Sequence, residues 1–144
     1  MMIRRVLLAF DGSPSSIAAS EFAIQLARRY EAELRVVAVV RPPDFSEDVE
    51  TEAWIERSER HLHNVMQPVK AKAAKAGVNC ISEVAVGHPS EQIVRYAEGH
   101  DVDHIVVGHR GHTLFERFLI GSVARQVIAY ADCAVTVVRA RRKP

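Results

Sequence analysis

The chain has 144 residues, 48% of them hydrophobic and 26% charged, which is the balance of a packed globular protein. Lys and Arg number 19 against 18 Asp and Glu, so a formal net charge of +1 provides no overall field to attract nucleic acid or an anionic membrane. The apolar runs are far shorter than the roughly 20 residues that span a bilayer. We therefore expect a single domain over residues 1–144 that binds neither nucleic acid nor membrane.

The N-terminal segment and the cysteines both favour a cytoplasmic location. The apolar stretch after Arg5 stops at Asp11, which is too short for a secretory signal peptide with its cleavage site. Cys80 and Cys133 lie far apart and beside strand-like apolar runs, where a free thiol packs as a small hydrophobic group. A reducing cytoplasm is the compartment that fits these features.

Hydrophobic periodicity predicts five strands that alternate with four helices. Continuous apolar runs are typical of buried strands, and apolar repeats of three or four residues are typical of helices. Ser13 before Pro14 predicts a capped helix start, and Gly77 predicts a helix end. The predicted elements are a strand over 6–10, a helix over 14–30, a strand over 34–40, a helix with apolar repeats over 62–76 after a polar stretch at 44–52, a strand over 78–86, a helix over 89–98, a strand over 103–107, a helix over 121–131 and a strand over 134–139.

This alternation predicts an α/β fold, with a doubly wound (Rossmann-like) five-stranded parallel sheet and helices on both faces. Each crossover is long enough to return right-handed, as parallel strands require. In such sheets, ligands bind beyond the carboxyl ends of the strands, where the strand order reverses. The loops after the first and fourth strands are therefore the candidate binding loops.

A glycine-punctuated loop follows the predicted fourth strand. Two residues separate Gly108 from Gly111, and nine residues separate Gly111 from Gly121, which opens a helix together with Ser122. Glycines let the backbone approach a phosphate closely, while the amides of a helix start and the Ser122 hydroxyl donate hydrogen bonds. Glycines at such positions are also common in ordinary turns and helix starts. We interpret this loop as an anion-binding site.

The spacing Gly-x2-Gly-x9-Gly-Ser resembles the ATP-binding signature of the universal stress protein family. The segments at 6–13, 87–89 and 135–139 also resemble that family, in the same order, so the resemblance covers nearly the whole chain. It implies the strand order 3-2-1-4-5 and a stress-response protein that binds an adenine nucleotide: ATP, AMP or cyclic AMP. It leaves open whether Mg²⁺ accompanies the nucleotide.

The resemblance also implies a role for individual residues. Asp11 would hydrogen-bond the ribose, the backbone near Val39 would meet the adenine, and Gly108 would lie against the ribose. The phosphates would be held by Gly111, Gly121, Ser122 and the amide of Val123. His109 stands where the family often has a small hydroxyl residue, so it is the position where this pocket differs from its relatives.

An enzymatic alternative rests on His109 and His112. They form the pattern His-x-Gly-His, which nucleotidyltransferases use on phosphates, but in those enzymes the pattern follows the first strand and opens the first helix. No lysine lies between Lys75 and Lys143, so a phosphate loop with its lysine is missing. We expect nucleotide binding without fast turnover and no catalytic residue, with a nucleotidyltransferase or a slow ATPase as the alternative. Arg110 and His112 are candidate phosphate contacts.

The seven histidines do not form a metal-binding pattern. His61 and His63 are two apart on a helix and point to different sides, and His109 and His112 have no nearby cysteine. We expect no metal site.

The last strand predicts the oligomeric state. If the strand order is 3-2-1-4-5, the strand over 134–138 is an apolar sheet edge, which proteins rarely leave uncovered. We expect a homodimer through this strand, as the resemblance also implies. A dimeric interaction protein whose pocket stays empty is a further alternative.

Overall fold

The computed structural model describes residues 2–43, 49–110 and 120–141. Strands and helices alternate within these ranges as β1 (Arg5–Ala9), α1 (Pro14–Tyr30), β2 (Glu33–Val40), α2 (Val49–Lys75), β3 (Cys80–Val86), α3 (Pro89–Gly99), β4 (His104–Gly108), α4 (Ser122–Tyr130) and β5 (Ala134–Val138). The strands pair in parallel, in the order β3-β2-β1-β4-β5. The predicted α/β fold and its strand order are confirmed.

The central strand β1 is buried on both faces, which explains its continuous apolar run. Because successive side chains of a strand point to opposite faces, Val6 and Leu8 pack against α1 and α2, whereas Leu7 packs against α3 and α4. Two hydrophobic layers therefore enclose the sheet. The helices reach both layers through small or aliphatic residues such as Ala23 and Val127.

Helix α1 begins and ends where its sequence predicts. The Ser13 hydroxyl accepts a hydrogen bond from the Ser16 amide at 3.3 Å, and Pro14 occupies the first turn. Glu31 ends the helix in the left-handed conformation, with φ of 53°. The predicted cap at Ser13 is confirmed.

Helix α2 begins earlier than the apolar repeats indicate. It starts at Val49, inside the polar stretch at 44–52, and continues through Pro68 to Lys75. The buried residues described for this helix are Thr51, Met66, Val69 and Ala73, so its first half contributes little to the core and carries almost no apolar signal. Gly77 follows with φ of 76°, as predicted for a glycine after a helix.

Both cysteines lie at strand starts, Cys80 in β3 and Cys133 just before β5. Cys80 and Cys133 are free and half-buried, and burial raises the pKa of both thiols. Strand β5 forms one edge of the sheet, and all five of its residues are half-buried. Among the described helices, none combines the length and the apolar character needed to cross a bilayer.

Candidate functional site

A cavity of about 610 Å³ opens at the carboxyl ends of β1, β2 and β4. The first residues of α1, α3 and α4 close its sides. In the sheet, the chain proceeds from β1 through β2 to β3 on one side and then continues with β4 and β5 on the other side of β1. The strand order of a doubly wound sheet reverses at this place. The cavity therefore lies where the topology predicts a ligand site.

Most of the residues predicted from the sequence line this cavity. Those within the described ranges are Asp11, Val39, Gly108, Arg110, Gly121, Ser122 and Val123. Gly111 and His112 lie outside the described residues. The fold thus brings together residues from the ends of three strands and the start of α4. Their contacts with a ligand stay predictions.

Asp11 lies at the rim of the cavity, in a tight turn after β1. Its Oδ1 accepts a hydrogen bond from the Ser13 amide at 2.8 Å, and Gly12 between them has φ of 83°. A Cβ at Gly12 would come within 2.9 Å of Cγ1 of Val65, so both the backbone conformation and the packing on α2 require glycine. The turn fixes the position of the carboxylate beside the cavity.

The start of α4 presents backbone amides without acceptors in the helix to the same cavity. The first bond of the helix runs from the Arg125 amide to the Gly121 carbonyl at 3.0 Å, so the amides of Ser122, Val123 and Ala124 have no acceptor within the helix. The N-cap residue is Gly121, which has no side chain to accept from them. All four residues from 121 to 124 line the cavity. Amides at a helix start and the positive end of the helix dipole are suited to an anion.

Gly108 has a packing role that its place in the sequence motif does not reveal. A Cβ on this residue would lie 2.8 Å from the carbonyl carbon of Ser15 and 2.9 Å from the amide nitrogen of Ser16. The end of β4 therefore contacts the first turn of α1 backbone to backbone. The Ser13 hydroxyl adds a long hydrogen bond of 3.4 Å to the Arg110 carbonyl. Together these contacts hold Gly108 and Arg110 against the start of α1.

His109 is buried in the wall of the cavity, with 3% of its surface exposed. Its amide donates to the Val138 carbonyl at 2.7 Å, and its carbonyl accepts from the Gly121 amide at 2.9 Å. Burial, assisted by the nearby charges of Arg139 and Arg110, lowers the pKa of the imidazole below its ordinary value of 6.5. The ring is therefore neutral at pH 7. The sequence marks His109 as unusual but gives no sign that it is buried.

Apolar side chains form another part of the cavity lining, and most of them were not predicted from the sequence. Val37 and Val107 contribute the sheet side, and Pro89 and Ile93 contribute the side of α3. Pro89 and Ile93 are four residues apart and so share one helix face, which is a signal that could have identified them. A wall of this kind suits a flat apolar group, and the α4 amides suit a charged one.

A second cavity of about 480 Å³ lies beside the first and shares Asp11 and Val39 with it. Its outer wall comes from α2 and includes Trp54, Arg57 and His61. In the described part of the chain, no three or more His, Cys, Asp or Glu side chains group closely enough to hold a metal ion. Among the described lining residues, Asp11 supplies the carboxylate of both cavities, and the other charged side chains are arginines.

Comparisons with known proteins agree on one family. The family model described as "Universal stress protein family" matches residues 2–139. A universal stress protein of Methanocaldococcus jannaschii is 34% identical over 99% of this chain and 85% of its own length. The structure of universal stress protein UspA from Lactobacillus plantarum has a TM-score of 0.89 and 26% identity, over 96% of this chain and 99% of its own. The universal stress protein from Archaeoglobus fulgidus, solved in complex with dAMP, has a TM-score of 0.69 and 26% identity, over 96% of this chain and 99% of its own.

Proposed function

The chain belongs to the universal stress protein family, and we propose that it is a cytoplasmic stress-response regulator that binds an adenine nucleotide in the 610 Å³ cavity. The observation that carries this proposal is the start of α4, where the amides of residues 122–124 lack helical acceptors and line the cavity. An anionic ligand satisfies such donors. That the Archaeoglobus fulgidus relative was solved with dAMP supports an adenine nucleotide as that ligand.

The nucleotide's polar parts have complementary groups in the lining of the cavity. We assign the phosphates to Gly121, Ser122 and the amide of Val123, with Gly111, Arg110 and His112 as further phosphate contacts. Asp11 receives the ribose hydroxyls, since a carboxylate held at the rim accepts hydrogen bonds.

The nucleoside end is assigned to the opposite, more apolar side. The backbone near Val39 meets the adenine, and Val37, Val107 and Ile93 supply apolar surface for the flat base. Gly108 lies against the ribose in this arrangement. ATP, AMP and cyclic AMP all carry the adenine, the ribose and a phosphate. Where the ligand is ATP, Mg²⁺ accompanies its polyphosphate.

We propose binding without fast turnover. The chain lacks a lysine between Lys75 and Lys143, so a phosphate loop with its catalytic lysine is missing. A protein that holds its nucleotide is suited to regulation, because the bound state persists long enough to be recognised by a partner.

We also propose that β5 is a homodimer interface. Its edge position leaves one row of backbone groups unpaired by the sheet. The His109 amide donates to the Val138 carbonyl, so the backbone N–H and C=O groups of residues 134, 136 and 138 point toward β4. The backbone groups of Val135 and Val137 therefore point away from the sheet. The same strand of a second copy would form hydrogen bonds with these outward backbone groups and would cover the half-buried valines of β5.

Calorimetric titration with ATP, AMP and cyclic AMP tests the proposed function. The native protein should bind at least one of them, and Ser122→Glu should abolish binding because it adds a carboxylate beside the phosphate position. Ala129→Glu, which adds the same charge at the exposed far end of α4, is the matched control and should bind as the native protein does. Incubation with labelled ATP should return ATP rather than product. The absence of binding by the native protein would refute the proposal.

A further inference from the structure

One buried side-chain polar atom has no hydrogen-bond partner among the described residues, and it is Nε2 of His109. Buried polar groups in native proteins are nearly always hydrogen-bonded, because losing contact with water without a replacement costs free energy. A buried imidazole without a partner therefore needs an explanation. A ligand that supplies the partner is one, provided that the ring borders a ligand site.

The position of the residue satisfies that condition. The hydrogen bond from the His109 amide to Val138 continues the β4–β5 ladder by one residue beyond Gly108. Alternation along the strand then puts the His109 side chain on the same face as Val107, and both residues line the 610 Å³ cavity.

The part of the cavity next to His109 is the part built for an anion. The His109 carbonyl accepts from the Gly121 amide at 2.9 Å, so the residue is tied directly to the start of α4. Arg110 and Arg125 line the cavity, and the charge of Arg139 acts on the His109 ring, while the carboxylate of Asp11 lies in the turn after β1. Positive groups thus dominate around the ring.

We propose that Nε2 of His109 donates a hydrogen bond to a phosphate oxygen of the bound nucleotide, and that His109 thereby selects phosphate-bearing nucleotides over nucleosides. The inference rests on the proposed function and adds a side chain to its phosphate site. A neutral imidazole suffices for this role, since it carries one N–H donor. The neighbouring charges of Arg139 and Arg110, which help to keep the ring neutral, favour an anionic acceptor in the same place.

Titrations with AMP and with adenosine separate this role from a structural one. His109→Ala should weaken AMP binding roughly ten- to a hundredfold, the size expected for a hydrogen bond to a charged group. Adenosine binding should not change, because adenosine has no phosphate. His109→Gln should retain most of the AMP affinity, since the Nε2 donor of glutamine stands at a similar distance from the backbone.

His104→Gln is the matched control. His104 is a part-buried histidine on the same strand but on the opposite face, where its Nε2 lies 2.6 Å from Oγ1 of Thr136. This variant should bind AMP and adenosine as the native protein does. Thermal melting of all variants shows whether they are folded.

A measurement on the native protein covers the case in which His109→Ala does not fold. In protein labelled with ¹⁵N-histidine, AMP should shift the Nε2 resonance of His109, and adenosine should not. The proposal is overturned if His109→Ala binds AMP like the native protein, if it loses AMP and adenosine equally, or if the resonance does not respond to AMP. If the native protein still binds AMP in those experiments, nucleotide binding is supported and only the role of His109 is refuted. If the native protein binds no nucleotide, both the proposed function and the role of His109 are refuted.

Discussion

Replacing Gly108 by alanine tests why a glycine stands at the end of β4, for which there are two explanations. The sequence resemblance predicts that this glycine contacts a ligand closely, whereas the structure shows close contact with α1. The added Cβ would lie 2.8 Å from the carbonyl carbon of Ser15 and 2.9 Å from the amide nitrogen of Ser16. These are backbone atoms of a capped helix start, so they cannot rotate away and α1 must shift.

The size of the effect follows from the kind of clash. Forcing one extra carbon into a packed interior costs about 1–3 kcal/mol. For a chain of this length, each kcal/mol lowers the melting temperature by about 3 °C, so Gly108→Ala should melt about 3–9 °C below the native protein. Gly99→Ala is the control, because an added Cβ there meets no heavy atom within 4 Å. That change, at the end of α3, should leave stability equal or raise it by up to about 1 kcal/mol.

Thermal melts followed by circular dichroism, combined with AMP titrations, decide between the two reasons. A melting temperature for Gly108→Ala equal to that of the native protein would refute the packing argument. If that variant kept its stability but lost AMP, contact with the ligand would explain the glycine. If Gly108→Ala melts at a lower temperature and loses AMP binding, while Gly99→Ala keeps both properties, the glycine is needed for the packing of β4 on α1 and for the site.

Two further predictions follow from the histidines and the sheet edge. The folded-state pKa values of His104 and His109 lie below the ordinary 6.5, so the unfolded chain binds protons that the folded protein does not, and stability should fall as pH decreases below about 6.5. Melting temperatures of His104→Gln and His109→Gln should fall less steeply than those of the native protein between about pH 7.5 and pH 5, and parallel curves would contradict the assignment. Val137→Pro, at an outward backbone position of β5, should give a monomer by light-scattering mass. Ser82→Pro on the outer side of the opposite edge strand should leave the dimer intact, and a dimer in both variants would exclude the β5 interface.

The fold was predictable from the sequence where burial or capping leaves a local mark. Residues 6–8 are buried on both sides of the sheet, and their run of apolar side chains records this directly. Ser13 and Pro14 mark the start of α1 because a helix start needs a side-chain acceptor and tolerates a proline. The first half of α2 has no such mark, since most of its residues face solvent and only Thr51 is buried there.

The candidate site was predictable in its outline and not in its interior. Asp11 and Gly121 stand next to element ends, and parallel strands bring those ends to one edge of the sheet, so chain order alone brings them near each other. The contact of Gly108 with α1 depends on how closely a particular helix approaches a particular strand. The burial of His109 depends on the same packing. Neither quantity is encoded in periodicity or spacing.

His109 connects three parts of the molecule, and this determines how its role must be tested. Its amide donates to Val138 of β5, its carbonyl accepts from Gly121 just before α4, and the residue lines the cavity. The two backbone bonds do not depend on the identity of the side chain, so His109→Ala and His109→Gln leave them available and change the ring alone. A glycine or proline at this position would disturb the β4–β5 ladder and the start of α4 at the same time. Because β5 is the proposed dimer edge, such a change would mix binding with assembly, whereas the pair of alanine and glutamine isolates the contribution of Nε2 to phosphate recognition.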